Sequence, residues 1–320
     1  MWARRETDSV SSKRLVIGYK LNYIDGGSTM KDFEYFTPKT VKEAIPLLVQ
    51  LKGEGKIIAG GQSMLVLMKQ NMLTPEYVVD IKGLSELDYM NYDEKKGLMI
   101  GALTTHRAIE KSPVIKKNYP VLSEMEDNLA AVQTRNYGTI GGNVCHGEPA
   151  GDPSVVFIAL NAKLKIVGGK GERVINSEDF YKDTLEVDLQ SDEVLTEIQI
   201  PTIPPHTGVA HEKLMVQKGD LGIVGAAASI TINPSSGVCE NARIALSNVA
   251  STPFRAKGAE KVLMGKVISD KVLEEAGEAV VKEISPPSDV HGSEEYRSAM
   301  AKVFFKRAVA KALDRAKPKN

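Results

Sequence analysis

Two short segments set the strongest limit on this chain's fold. One is Ile57-Ile58-Ala59-Gly60-Gly61-Gln62-Ser63 and the other Thr139-Ile140-Gly141-Gly142-Asn143. Each carries paired glycines beside an apolar stretch and a hydroxyl side chain. Glycine has no Cβ and reaches φ > 0, so consecutive backbone N–H groups can converge on one anion. A helix start at Ser63 would add partial positive charge. A single glycine pair reads first as a plain turn. Two in one chain, both with hydroxyls alongside, point to a cradle for a diphosphate.

Other phosphate and metal motifs are missing. No Gly-x-Gly-x-x-Gly follows a strand and no Gly-x4-Gly-Lys-Ser/Thr occurs, which removes the Rossmann and P-loop readings. There is no Cys-x-x-Cys, His-Glu-x-x-His or Gly-x-Ser-x-Gly, and the five histidines show no metal-ligand spacing. Cys145 and Cys239 are too few for a disulfide framework or a self-held iron–sulfur cluster. Lys plus Arg equals Asp plus Glu at 41 each, so the chain lacks the positive excess of a nucleic-acid binder. No apolar run approaches the roughly 20 residues of a membrane span.

The chain's 320 residues allow two or three domains. From Met30 the pattern is a βαβαβ rhythm ending near Gly83. Strands are expected at Phe33–Phe36, Lys56–Ala59 and Tyr77–Ile81. Helices are expected at Val41–Leu51, opened by a Thr40/Glu43 capping box and kinked or shortened by Pro46, and at Ser63–Gln70. Strands at Leu98–Ala102, Lys163–Val167 and Val194–Ile200 follow, with helices at His106–Glu110 and Tyr119–Ala130. Pro201, Pro204 and Pro205 mark a boundary. Beyond it lie strands Gly225–Ile232 and Ala242–Ser247, then helices Arg255–Leu263, Asp270–Ile284 and Ser293–Ala316.

Residues 1–29 read apart from the rest. They are basic but lack the apolar core and cleavage site of a secretory signal. Three readings stand: a transit peptide, a genuine N-terminal arm, or a leader that is not native. The third rests on Gly26-Gly27 just before Met30, because adjacent glycine codons can spell the ribosome-binding sequence GGAGG.

The second glycine segment sits in a longer string, from Arg135-Asn136-Tyr137-Gly138 through Cys145-His146-Gly147-Glu148 to Asp152-Pro153. With Ala59–Ser63 upstream and Asn71–Ile81 following it, this string resembles the FAD-binding subunit of the molybdenum hydroxylases, the xanthine dehydrogenase and aerobic carbon monoxide dehydrogenase family. The resemblance runs from Met30 to Ala316. It implies an α+β fold: a vanillyl-alcohol-oxidase-type FAD-binding domain of two α/β subdomains, then a smaller α+β domain. The corresponding division is a leader at 1–29, an FAD-binding domain at 30–205 with subdomains 30–83 and 84–205, and a C-terminal domain at 206–320.

The resemblance also implies residue roles. Ile57, Ile58, Ala59, Gly60, Gly61, Gln62 and Ser63, with Thr139, Ile140, Gly141, Gly142 and Asn143, match the loops that hold the FAD pyrophosphate. Asp152 matches an acidic residue bonding a flavin-chain hydroxyl, Leu195 an apolar residue against the isoalloxazine, and Lys213 a lysine near the ring. Taken singly, Asp152 could instead be a turn residue, Leu195 plain core and Lys213 a solvated charge. Many relatives carry Tyr-x-Lys where this chain has His211-Glu212-Lys213. Either His211 stacks on the flavin in the tyrosine's place or that face is open. No histidine lies in the glycine segments, so a non-covalent flavin is expected.

The implied function is electron transfer: from molybdopterin on a large subunit, through [2Fe–2S] clusters on a small subunit, to FAD on this chain. From FAD, electrons would pass to NAD, a quinone or a redox protein. The flavin is then the redox group, and no side chain is catalytic. A cytoplasmic dimer of heterotrimers is the expected assembly. Competing readings are a self-sufficient flavin oxidase or dehydrogenase and a scaffold subunit without redox function.

Overall fold

A computed structural model describes residues 30–318. The expectations for a leader at 1–29 lie outside the described residues. The first unit comprises β1 (Glu34–Phe36), α1 (Val41–Gln50), β2 (Gly55–Ile58), α2 (Met64–Lys69) and β3 (Tyr77–Asp80). Its sheet is parallel, in the order β1-β3-β2. Thr40 caps α1 by accepting from Glu43 N at 3.2 Å, while Glu43 Oε2 accepts from Lys39 N at 2.8 Å. That closes the N-terminal turn one residue upstream of a standard capping box. Ala44, Ile45 and Leu48 form the buried face of α1. Pro46 neither shortens nor ends this helix, because it lies on the exposed side, where the carbonyl it leaves without a partner meets water.

The second unit begins with β4 (Met90–Asp93) and β5 (Gly97–Gly101). Six helices follow: α3 (His106–Lys111), α4 (Pro113–Asn118), α5 (Pro120–Asp127), α6 (Val132–Tyr137), α7 (Ile140–His146) and α8 (Asp152–Ala159). Strands β6 (Lys163–Gly168), β7 (Gly171–Asn176), β8 (Tyr181–Asp183), β9 (Glu186–Val187) and β10 (Glu193–Ile200) complete it. Its main sheet is antiparallel, in the order β4-β5-β10-β6-β7.

The third unit is an antiparallel sheet of β11 (Thr207–Leu214), β12 (Val224–Ile232), β13 (Cys239–Ser247) and β14 (Phe254–Arg255). Helices α9 (Lys257–Leu263), α10 (Asp270–Glu283) and α11 (Glu294–Ala316) cover one face. Alternation along β12 divides its side chains between two cores. Ala226, Ala228 and Ile230 pack with the helices, whereas Ala227 faces the second unit together with Val209 and Ala245. Every residue of α8 is buried, as expected of a helix apolar on all sides, and it packs on β12 and β13. A single core therefore runs from Leu98, Ile100 and Ile198 of the five-stranded sheet through α8 to the C-terminal sheet.

Candidate functional site

The three units enclose a cavity of about 570 Å³, within the range of cofactor sites. Strand β2 delivers the first glycine segment to it. Gly60 packs on the end of α6 so closely that a Cβ there would lie 2.2 Å from Tyr137 O, which excludes any larger residue. Gly61 has φ +72°, a left-handed conformation that turns the chain toward α2. Gln62 Nε2 donates to Gly60 O at 3.1 Å. The backbone N–H groups of Gly60, Gly61, Gln62 and Ser63 donate to nothing among the described residues, although all four residues line the cavity. Unspent backbone donors in succession are what an anion needs.

The second glycine segment differs from the sequence expectation. It is not a loop but the first turn of α7, capped by Thr139 Oγ1, which accepts from Gly142 N at 3.2 Å. Ile140 N donates to Thr104 O and Gly141 N to Ala102 O, both at 2.9 Å, and Asn143 N donates to Thr139 O. These amides are already used within the protein. Ile140 itself is fully buried in the core and does not line the cavity. Thr139, Gly141, Gly142 and Asn143 do line it. The two segments are therefore unequal: the first offers free donors, and the second forms a closely packed wall.

Opposite them stands a buried ion pair. Lys213 Nζ, on β11, donates to Asp152 Oδ2 at 2.6 Å, to Asn128 O at 3.1 Å and to Asp220 O at 2.8 Å. The two side chains are 3% and 4% exposed, so the readings of a solvated lysine and a surface-turn aspartate fail. Asp152 Oδ1 has no hydrogen-bond partner among the described residues, and its residue lines the cavity. This oxygen is itself buried, 3.6 Å from the equally unpartnered His211 Nε2, so a ligand hydroxyl would reach it through a turn of the carboxylate. Leu195 and Val194 add apolar wall from β10, where a bulge at Thr196 shifts the register.

His211 does not line the cavity. Its imidazole is buried behind Asp152, with Nε2 3.6 Å from Oδ1, too far for a hydrogen bond. A flavin stacked on His211 is therefore not what this structure offers. Burial holds the His211 imidazole below its ordinary value, against the pull of Asp152.

Sequence reasoning missed another buried pair. His106 Nδ1 lies 2.9 Å and 3.1 Å from the two Glu126 oxygens, and His106 lines the cavity. Burial pushes the Glu126 carboxyl up. A signal was present: Glu126 falls on the same helical face as Val121, Leu122 and Met125, where a carboxylate is out of place.

These features fit FAD. The unspent amides suit a pyrophosphate, the orphaned Asp152 oxygen suits a hydroxyl of the flavin chain, and the apolar wall suits a ring system. Among the described residues no cluster could hold a metal ion, and no helix is long and apolar enough to cross a membrane.

Comparison with known proteins agrees with this geometry. Residues 31–203 match the FAD binding domain in molybdopterin dehydrogenase, and residues 210–312 match the CO dehydrogenase flavoprotein C-terminal domain. The carbon monoxide dehydrogenase medium chain of Hydrogenophaga pseudoflava is 36% identical, over 87% of this chain and 96% of that one. The 6-hydroxypseudooxynicotine dehydrogenase complex subunit alpha of Paenarthrobacter nicotinovorans is 34% identical, over 89% and 96% of the two chains. A solved structure of the Hydrogenophaga enzyme superposes with TM-score 0.87 at 36% identity, covering 90% of this chain and 99% of its counterpart. The chain belongs to the FAD-binding subunits of the molybdenum hydroxylase family, and it is the FAD-containing component of an oxidoreductase.

Proposed function

We propose that this chain is the electron-transfer subunit of a molybdopterin-dependent hydroxylase or dehydrogenase. In this reading electrons arrive from [2Fe–2S] clusters on a small partner subunit, fed by molybdopterin on a large one. They leave to an external acceptor such as NAD, a quinone or a redox protein. The assembly is a cytoplasmic dimer of heterotrimers. The FAD-binding domain takes residues 30–205, with subdomains 30–83 and 84–205, and the C-terminal domain takes 206–320.

The observation that carries this reading is the run of unspent amides from Gly60 to Ser63, in one cavity with the orphaned Asp152 oxygen. Bound FAD supplies the redox chemistry. The chain's own residues bind and orient it. The Gly60–Ser63 amides hold the pyrophosphate, and Gly141 and Gly142 keep that wall free of side chains. Asp152 accepts a hydroxyl while Lys213 neutralises it, and Leu195 excludes water from the ring. Relatives named as a medium chain and as a complex subunit, matched over nearly their whole length, support a role as one chain among several.

The test is anaerobic flavin bleaching by organic substrate. The purified chain should bind FAD yet stay oxidised with aldehyde, purine or aromatic substrates. Adding the molybdenum and iron–sulfur subunits should cause bleaching. Rapid bleaching of the chain alone would establish a self-sufficient oxidase, and failure to bind flavin at all would establish a scaffold.

A further inference from the structure

We propose that His106, backed by Glu126, is a charged contact for the pyrophosphate, so that the proton shared by this pair is required for tight FAD binding. The proposal rests on the FAD reading above and adds a residue to it.

His106 is fixed in the seam between the two glycine segments. Its backbone N–H donates to Gly138 O at 3.1 Å, and Thr105 pairs with Thr139 as an isolated bridge. A Cβ placed on Gly138 would meet His106 Cδ2 at 3.1 Å and Gln62 Cγ at 3.5 Å, so imidazole and first glycine segment flank the same point. The residue is 3% exposed and lines the cavity. Nδ1 is taken by Glu126, and Nε2 makes no bond among the described residues.

The surrounding charges are already matched. Arg135, on α6, spends Nε on Glu110 and Nη1 on Leu129 O and Ala130 O. Glu110, on α3, also holds Arg107 and Lys111. Lys213 is committed to Asp152, with His211 behind it. His146, on α7, lines the cavity half-buried near Glu148, and burial lowers its affinity for a proton. Lys56 also lines the cavity, but from an exposed position. Among the described residues the fully buried Glu126 is hydrogen-bonded by one side chain, His106, with the charges of Arg135 and Asp152 acting on it from farther off. A protonated pair has both ring nitrogens as donors, one to the carboxylate and one to the cavity. An unprotonated pair leaves a net negative charge beneath the site and presents a bare nitrogen lone pair to the phosphates.

The sign follows. A bound anion favours the proton shared by the pair, so FAD binding takes up a proton and weakens as pH rises. The pyrophosphate of FAD is esterified at both ends and each phosphorus stays singly charged throughout this range, so the phosphates contribute no proton of their own.

The experiment compares FAD with riboflavin, which lacks the pyrophosphate, on the full-length chain freed of flavin. Affinity is measured from neutral to alkaline pH by flavin fluorescence, and proton uptake by calorimetry in buffers of different ionisation enthalpy. FAD affinity should fall with pH and its binding should take up protons, while riboflavin should show neither beyond ring ionisation. His106→Gln should weaken FAD about ten- to hundredfold near neutral pH, as loss of a hydrogen bond to a charged group does. It should flatten the FAD profile and leave riboflavin unchanged. Parallel profiles for the two ligands in the unaltered chain would overturn the proposal without any variant. Equal weakening of both ligands by His106→Gln would mark a merely structural role and overturn it too. Failure of FAD to bind at any pH would remove the FAD reading, and this proposal with it.

Discussion

Lys213 Nζ and Asp152 Oδ2 stand 2.6 Å apart at the junction of β11 and α8, joining the segments that match the two family domains. The same ammonium holds Asn128 O and Asp220 O, so one side chain ties three separate stretches to its own strand. Replacing it with Lys213→Met leaves Asp152 buried without a counterion. We expect a loss of about 3–5 kcal/mol, the usual consequence of breaking a buried pair from one side. The double variant with Asp152→Asn should recover part of it. Urea titration of the flavin-free chain reads both. A loss below about 1 kcal/mol would be the behaviour of a solvated pair.

The glycines should separate binding from stability. Gly60→Ala drives a Cβ against Tyr137 O and Gly138 Cα, both backbone atoms, and should lower melting temperature and flavin content together. Gly142→Val projects toward the cavity, with Ala59 Cβ 3.9 Å away, and disturbs within the protein mainly the Thr139 cap. It should cost about 1 kcal/mol of stability, as caps do, yet abolish flavin retention. Normal FAD content in Gly142→Val would remove that wall from the site.

Much of this arrangement was legible beforehand, and what escaped did so for physical reasons. The β1–β3 unit announced itself by capping and apolar runs, and the long helices α10 and α11 fall where the sequence placed them. Strand β11 was missed because Thr207-Gly208-Val209-Ala210-His211-Glu212-Lys213-Leu214 does not alternate: Gly208 and Ala210 are buried beneath α11, and the charged residues find partners on helices, Glu212 on Lys311 of α11 and Lys213 on Asp152 of α8. Helix α7 was missed because Ile140-Gly141-Gly142-Asn143 has poor helical propensity, overridden by the Thr139 cap and by contacts to Ala102 and Thr104. That His211 turns behind Asp152 depends on the register of β11 with β12, which no local pattern encodes. The His106–Glu126 pair joins α3 to α5, and only the out-of-place carboxylate hinted at it.

His211 makes stability depend on pH. Burial keeps its folded-state value below the ordinary 6.5, so the native protein resists a proton that the unfolded chain accepts. Stability is complete above 6.5 and is lost as pH falls below it; His146 is lowered in the same direction and contributes alongside. Denaturation midpoints should therefore drop between neutral and mildly acidic pH, and His211→Asn should make that drop shallower by up to one proton's worth. A steeper drop in the variant would mean that His211 is charged in the fold, paired with Asp152, and an unchanged slope that the fold leaves its hold on a proton unaltered.

Arg297 controls the edge of the cavity from a distance. It is fully buried on α11, and its guanidinium donates to Ile223 O at 2.5 Å and to Asp289 Oδ1 at 2.6 Å. Ile223 lies two residues beyond the segment Gly219-Asp220-Leu221 that lines the cavity, and Asn248 Nδ2 holds the intervening Gly222 O at 2.9 Å from the other side. Arg297→Met removes the stronger of these anchors. Because Asp289 is 43% exposed, water can take over its carboxylate, and the loss should be about 2–3 kcal/mol, near that of hydrogen bonds to a charged group. Arg297→Lys should recover less than half, since an ammonium lacks the planar fork that serves both acceptors. The sharper readout is local. Proteolysis should first cut the Val216–Gly222 stretch, and FAD should dissociate faster from Arg297→Met at a temperature where the protein is still folded. Unchanged flavin release together with an unchanged cleavage pattern would show that Lys213 and Asn248 hold this edge without the arginine.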